Sequence, residues 1–137
     1  MTATLPLEMG ENEITGLIVN ACIRIHRRLG PGLLESVYEQ ILTHELRKLG
    51  VEVLPQEPIP LCWDDLHFDR AFQCDLLVHR KVIVELKSVE SISTLHRAKL
   101  LTYLKLADKR VGLLVNFSTA LMKDGIERIM NKGPSLF

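Results

Sequence analysis

Three ionisable residues in an otherwise apolar stretch carry the first chemical signal. Asp75 lies in the run CDLLV, and Glu85 and Lys87 lie in VIVELK, with His79-Arg80-Lys81 between the two runs. Both runs are rich in Val, Ile and Leu, so they read as strands, and the short polar link makes them a hairpin. Side chains alternate along a strand. Asp75 and Leu77 therefore share one face, opposite Cys74, Leu76 and Val78. Ile83, Glu85 and Lys87 likewise share a face, opposite Val82, Val84 and Leu86. A loop over 79–81 pairs Val78 with Val82 and Asp75 with Glu85, which brings the two acidic Cβ atoms within roughly 4.5–5.5 Å. A one-residue slip places Leu86 opposite Asp75 instead.

Two facing carboxylates repel, and a hairpin that keeps them needs a compensating charge. Lys87, on the same face as Glu85, is one source. A divalent cation is the other, since Mg²⁺ takes one or two protein carboxylates and keeps several waters. The plainer alternative is a surface strand face with a Glu85–Lys87 pair and Asp75 at a fraying end.

The rest of the chain must supply the elements that hold this hairpin. Its 137 residues are enough for one domain, with 47% hydrophobic and 25% charged residues, a globular composition that can bury a core. Residues 1–11 read as a flexible lead-in and 12–137 as a single domain. Asn12 can cap a helix whose apolar face is Ile14, Leu17, Ile18, Ala21 and Ile25, the helical spacing. Gly30-Pro31-Gly32 stops it. A second helix carries Leu34, Val37, Tyr38, Ile41, Leu42, Leu46 and Leu49 as its stripe and ends at Gly50. Residues 51–54 read as a short strand. Pro55, Pro58 and Pro60 confine the next segment to an edge strand or an extended loop. Residues 61–63 are strand-like, Asp64-Asp65 suits a turn, and Trp63 is expected to close one end of the core. Strands are expected over 68–78, 82–86 and 111–115. Helices are expected from a Ser93 or Thr94 cap to about 107, and over 124–131. The order α-α-β-β-β-α-β-α gives an α/β (α+β) domain with one mixed sheet of four to five strands flanked by helices.

Composition also excludes functions. With 17 Lys+Arg against 17 Asp+Glu, the chain has no basic coat, so a polyanion site must be a local patch. Cys22, Cys62 and Cys74 make an odd set without a CxxC pair, which argues against a disulfide scaffold or a zinc site. The five His form no HExxH motif, and there is no G-x-S-x-G elbow or phosphate-cradling glycine loop. No apolar run approaches a membrane span, and the N-terminus does not read as a signal peptide; a cytoplasmic protein is the expectation. Arg24, His26, Arg27 and Arg28 cluster at the end of the first helix. They fit either the helix dipole or contacts to a phosphate backbone that Arg80, Lys81, Arg97 and Lys99 extend. His96, near the start of the third helix, is expected to be exposed or capping.

Asp75 followed ten positions later by Glu85-Leu86-Lys87 resembles the signature of the PD-(D/E)XK nuclease superfamily. Gly32-Leu33-Leu34-Glu35-Ser36-Val37-Tyr38 resembles the helix motif of its small GxxExxY branch, as do Gly30-Pro31-Gly32 before it and Asn116-Phe117 after the last core strand. The resemblance covers about residues 12–131. It implies a restriction-endonuclease-like core and a Mg²⁺- or Mn²⁺-dependent nuclease that hydrolyses phosphodiester bonds in nucleic acid, DNA above all, in repair or processing. It implies Asp75 and Glu85 as metal ligands and Glu35 as a further carboxylate, direct or through water. Lys87 would stabilise phosphoryl charge or position the water, and Tyr38 would pack in the core or support Glu35. Related nucleases carry Gln-x-x-x-Tyr on the following helix, where this chain has Lys99 and Tyr103. Lys99 either contacts substrate phosphate with Tyr103, Arg27 and Arg28, or pairs with Asp75 or Glu85 in place of the metal. The second case makes the chain a non-catalytic nucleic-acid-binding or assembly module. Specificity would come from a homodimer or a protein partner.

Overall fold

The computed structural model describes residues 5, 6 and 8–135. Its first helix, α1, runs over Glu11–Leu29 and buries Ile14, Ile18, Ala21, Cys22 and Ile25. It starts one residue before Asn12, with Gly10 as the N-cap and Glu11 and Glu13 in the first turn, where the helix dipole favours acids. Gly30, at φ 70°, ends it by donating its N–H to the His26 carbonyl. Helix α2, Glu35–Lys48, buries Tyr38, Leu42 and Leu46. Leu34 is its N-cap and Leu49 its C-cap, and both are exposed rather than part of the apolar stripe.

Five strands follow in one sheet, in the order β1-β2-β3-β4-β5. They are β1 Val53–Trp63, β2 Leu66–Val78, β3 Val82–Lys87, β4 Val111–Asn116 and β5 Ile126–Met130. Only β3 and β4 pair in parallel, and α3, Thr94–Ala107, is the crossover between them. Such a pair is covered on both faces. Val82, Val84 and Leu86 join the α1–α2 core, and Ile83 joins Leu100, Leu104 and Leu114 under α3. Ser93 caps α3, and His96 returns the bond by accepting from the Ser93 N–H at 3.0 Å. Of the exposed and capping roles that the sequence allows His96, it takes the capping one.

One alternative is resolved and two expectations are corrected. Of the edge strand and the extended loop open to the proline-rich stretch, the edge strand forms, and it joins 53–54 and 61–63 in one strand, β1. Trp63 does not close the core; it is 63% exposed, because β1 and β2 run on past the domain as a two-stranded arm. The helix expected over 124–131 is a 3₁₀ turn, Met122–Gly125, and then β5. The outer edge of β4 needs backbone partners, and pairing Val111–Val115 with 126–130 supplies them. Described residues of the lead-in bond to the domain. Leu5 donates to the Gly50 carbonyl at 2.9 Å, His79 to the Pro6 carbonyl at 2.7 Å and Lys81 to the Met9 carbonyl at 2.6 Å. Residues 1–4 and 7 lie outside the described residues. Among the described residues, no helix is long and apolar enough to cross a membrane.

Candidate functional site

The β2–β3 hairpin keeps the register that places Asp75 against Glu85. Val78 pairs with Val82, Leu77 with Ile83 and Leu76 with Val84, which excludes the one-residue slip. His79 and Arg80 both take positive φ in the turn. His79 is held there by the Pro6 carbonyl and the Glu52 N–H, and Arg80 by the Glu52 carboxylate at 3.0 Å.

One step beyond Leu76 and Val84 the backbone ladder gives way to side chains. The Asp75 N–H donates to Glu85 Oε2 at 3.4 Å, and Asp75 Oδ2 accepts from the Leu86 N–H at 2.8 Å. Glu85 is only 6% exposed. Burial first, then the charge of Asp75 and a hydrogen bond with its side chain, push the Glu85 carboxyl up to about 9. The Asp75 N–H and the charge of Lys87 oppose this without reversing it. Lys87, half-buried, ends β3, and its carbonyl accepts from the Phe117 N–H at 3.1 Å.

Helix α2 adds the second wall. Glu35, its first residue, accepts from the Ser88 N–H at 2.8 Å, just past Lys87. A cleft of about 180 Å³ lies between α2 and the hairpin, lined by Glu35, Ser36, Glu39, Gln56, Asp75 and Leu86. Glu39 is the residue that sequence reasoning missed. It stands four positions after Glu35, the spacing that puts two side chains on one helix face. Gln56 donates to its carboxylate at 2.5 Å. Burial raises the Glu39 pKa, Gln56 lowers it, and the charges of Asp75 and Glu35 raise it further.

Tyr38 explains why the segment before Glu35 is shaped as it is. The ring is 1% exposed and stacks on Phe117, with centroids 4.1 Å apart and planes 7° apart. Its hydroxyl donates to the Gly30 carbonyl at 2.5 Å and accepts from the Leu33 N–H at 3.2 Å. This fastens the turn through Gly32, at φ 109°, a conformation that a side chain would strain. Asn116 fixes the other end. Its amide donates to the Val89 carbonyl at 2.8 Å, and its Oδ1 accepts from the Val89 N–H at 3.2 Å. The loop that receives Glu35 is thus clamped beside it. Tyr38→Phe keeps the stack and loses both hydroxyl bonds. Its expected cost is about 1–2 kcal/mol, read by urea unfolding, and an unchanged midpoint contradicts the role.

The remaining sequence candidates are dispersed. Tyr103 stacks on Phe72 at 4.1 Å. Burial and then the charges of Glu85 and Asp75 raise its pKa, so it stands near the carboxylates. Lys99 is exposed and forms no ion pair with Asp75 or Glu85 among the described residues. Arg97 is engaged by Glu127, at 2.6 and 2.8 Å. Arg27 and Arg28 are exposed on different sides of α1. Arg27 lines a cleft with Lys123, and Arg28 a groove with Arg24; neither includes Asp75 or Glu85. Among the described residues, no three Asp, Glu, His or Cys side chains form a ready-made metal cluster. The structure brings together the pair Asp75–Glu85 and sets Glu35 beside it, bound to Ser88.

A family model described as the PD-(D/E)XK nuclease superfamily matches residues 12–129. The chain belongs to this superfamily. No curated protein and no solved structure matches it. The pattern in the superfamily's name reads onto Asp75 and Glu85-Leu86-Lys87, with Cys74 where the name has proline. The mixed sheet with helices on both faces is the nuclease-like core that the sequence led us to expect.

Proposed function

We propose that the chain is a divalent-metal-dependent nuclease of the GxxExxY branch that hydrolyses phosphodiester bonds in DNA, in repair or processing. The observation that carries this reading is the junction of Asp75 and Glu85. Two carboxylates meet where β2 and β3 part, in a buried setting that Lys87 does not neutralise. Ionised together, two buried carboxylates repel, and a divalent cation is the charge that compensates them.

The residues fit Mg²⁺ or Mn²⁺. Asp75 and Glu85 offer hard oxygen donors, and Mg²⁺ is satisfied by one or two carboxylates with waters completing its shell. Glu35, and Glu39 beside it in the cleft, would hold such waters. A divalent cation held by these carboxylates would lower the pKa of a water and polarise a phosphoryl oxygen. Lys87 supplies a fixed positive charge where the phosphoryl oxygens gain negative charge. Glu35 and Asn116 hold the loop after β3, which keeps Lys87 in place. The nucleophile is water: the nearest thiol, Cys74, is buried and pushed up to about 12 by burial and by Glu85, Asp75 and Glu57, which leaves it inert. Arg27 and Lys123, in a cleft of about 420 Å³ beside Gly30-Pro31, suit the sequence-independent phosphate contacts that orient a strand. The alternative, a non-catalytic module with Lys99 in the metal position, draws no support from a Lys99 that is exposed and pairs with neither carboxylate among the described residues.

The test is cleavage of single- and double-stranded DNA, with RNA in parallel, in Mn²⁺ and after chelation. Wild type is expected to cut DNA only with metal. Lys87→Ala is expected to lose about 10²–10³-fold in rate while its metal binding persists. No cleavage of any nucleic acid by the folded protein, or an unaffected Lys87→Ala, contradicts the proposal.

A further inference from the structure

The arm made by the far ends of β1 and β2 plays no part in the carboxylate site. Leu61 pairs with Phe68 and Trp63 with Leu66, so strand alternation puts all four on one face of the ribbon. Trp63 is 63% exposed, Leu66 57% and Phe68 46%. The other face carries Cys62 and His67, whose Sγ and Nδ1 are 3.1 Å apart. An exposed apolar strip of this kind marks an interaction surface. Its surroundings narrow the occupant. Asp64 and Asp65 form the tip and Asp69 follows Phe68, against the single cation of Arg70. Those aspartates repel a nucleic-acid backbone or an anionic membrane. They suit a protein groove with an apolar floor and a cationic rim.

This chain carries such a groove. Between α1 and α2 a depression of about 400 Å³ is lined by Ile25, Leu29 and Ile41, with Arg24 and Arg28 at its edge. Leu29 is 46% exposed. Arg24 and Arg28 lie four apart on one helix face and form no ion pair among the described residues. Glu45, also in the lining, is engaged by Lys48 at 2.8 Å. The net charge of +0 leaves no overall repulsion between copies.

We propose that the Trp63–Phe68 arm of one copy docks in the Arg24/Arg28 groove of a second copy, and that two reciprocal contacts close a twofold dimer. Reciprocity about a twofold axis is what stops such an arm-in-groove contact from growing into a filament. The inference stands independently of the nuclease reading.

Sedimentation velocity at low ionic strength tests it. Wild type is expected to sediment as a dimer that dissociates as salt screens the charges. Trp63→Ser with Phe68→Ser is expected to give a monomer with an unchanged circular dichroism spectrum, since both side chains are exposed. Asp64→Lys with Asp65→Lys, and separately Arg24→Glu with Arg28→Glu, are each expected to be monomeric. An equimolar mixture of those two charge-reversed proteins is expected to recover the dimer. A monomeric wild type overturns the proposal. So does a dimer that survives the arm or the groove substitutions, or a mixture that stays monomeric.

Discussion

Asp75→Asn is expected to abolish cleavage and leave the fold as stable as before, or more so. The loss of activity follows from removing one of two carboxylates that would hold the cation. That cation is worth several kcal/mol to the transition state, so a loss of about 10³-fold or more is expected. Stability follows from local geometry. The Asn side-chain oxygen still accepts from the Leu86 N–H, as Asp75 Oδ2 does at 2.8 Å. Its amide donates to Glu85, and the loss of the Asp75 charge removes one of the causes that hold the Glu85 carboxyl up. The unfolding free energy at neutral pH is expected to be unchanged or raised by about 1 kcal/mol. A gain in stability at a functional site with a loss of function is the usual sign of a site kept against the interest of the fold. A variant that loses activity and also unfolds several degrees earlier would make Asp75 a structural residue instead.

The stability of the metal-free protein is expected to fall as pH rises, with Glu85 as the cause. The Glu85 carboxyl sits at about 9 in the folded chain against an ordinary 4.5. Between those values the native state binds a proton that the unfolded chain has released. Stability is therefore fully present below about 4.5 and is lost as pH rises toward 9. The slope approaches about 1.4 kcal/mol per pH unit for one such group. Glu39, also raised, adds in the same direction. Glu85→Gln removes the titration and is expected to flatten the profile, as measured by urea unfolding at steps from pH 5 to pH 9. A wild-type profile that is flat or rises over that range contradicts the buried, carboxylate-paired Glu85. A divalent cation has the opposite dependence, because it binds the ionised pair and releases the proton.

The part of the site on one hairpin was legible because strands have a fixed period of two. Once 82–87 reads as a strand, the side that Glu85 and Lys87 share is fixed, and a short loop sets Asp75 opposite. Glu35 was legible only through its resemblance to a known motif, since nothing local says that the start of α2 abuts Ser88. Glu39 and Gln56 were not legible. Their meeting depends on the packing of α2 over β1 and on the positive φ of Gln56, which no pattern of residue types encodes. The elements that failed did so for related reasons. Residues 124–131 have helical spacing, yet the backbone demand of the β4 edge overrode it. Trp63 was assigned to the core on the habit of its residue type. The register of β1 with β2 instead carries it past the domain, beside Leu66.

The central claim is that Asp75 and Glu85 together hold a divalent cation. Calorimetric titration of Mn²⁺ into wild type and into folded Asp75→Asn, at pH 7 and pH 9, tests it most directly. Saturable binding by wild type that tightens toward pH 9 and vanishes in Asp75→Asn is the predicted result. Absence of binding by folded wild type at both pH values, or equal binding by Asp75→Asn, would contradict it.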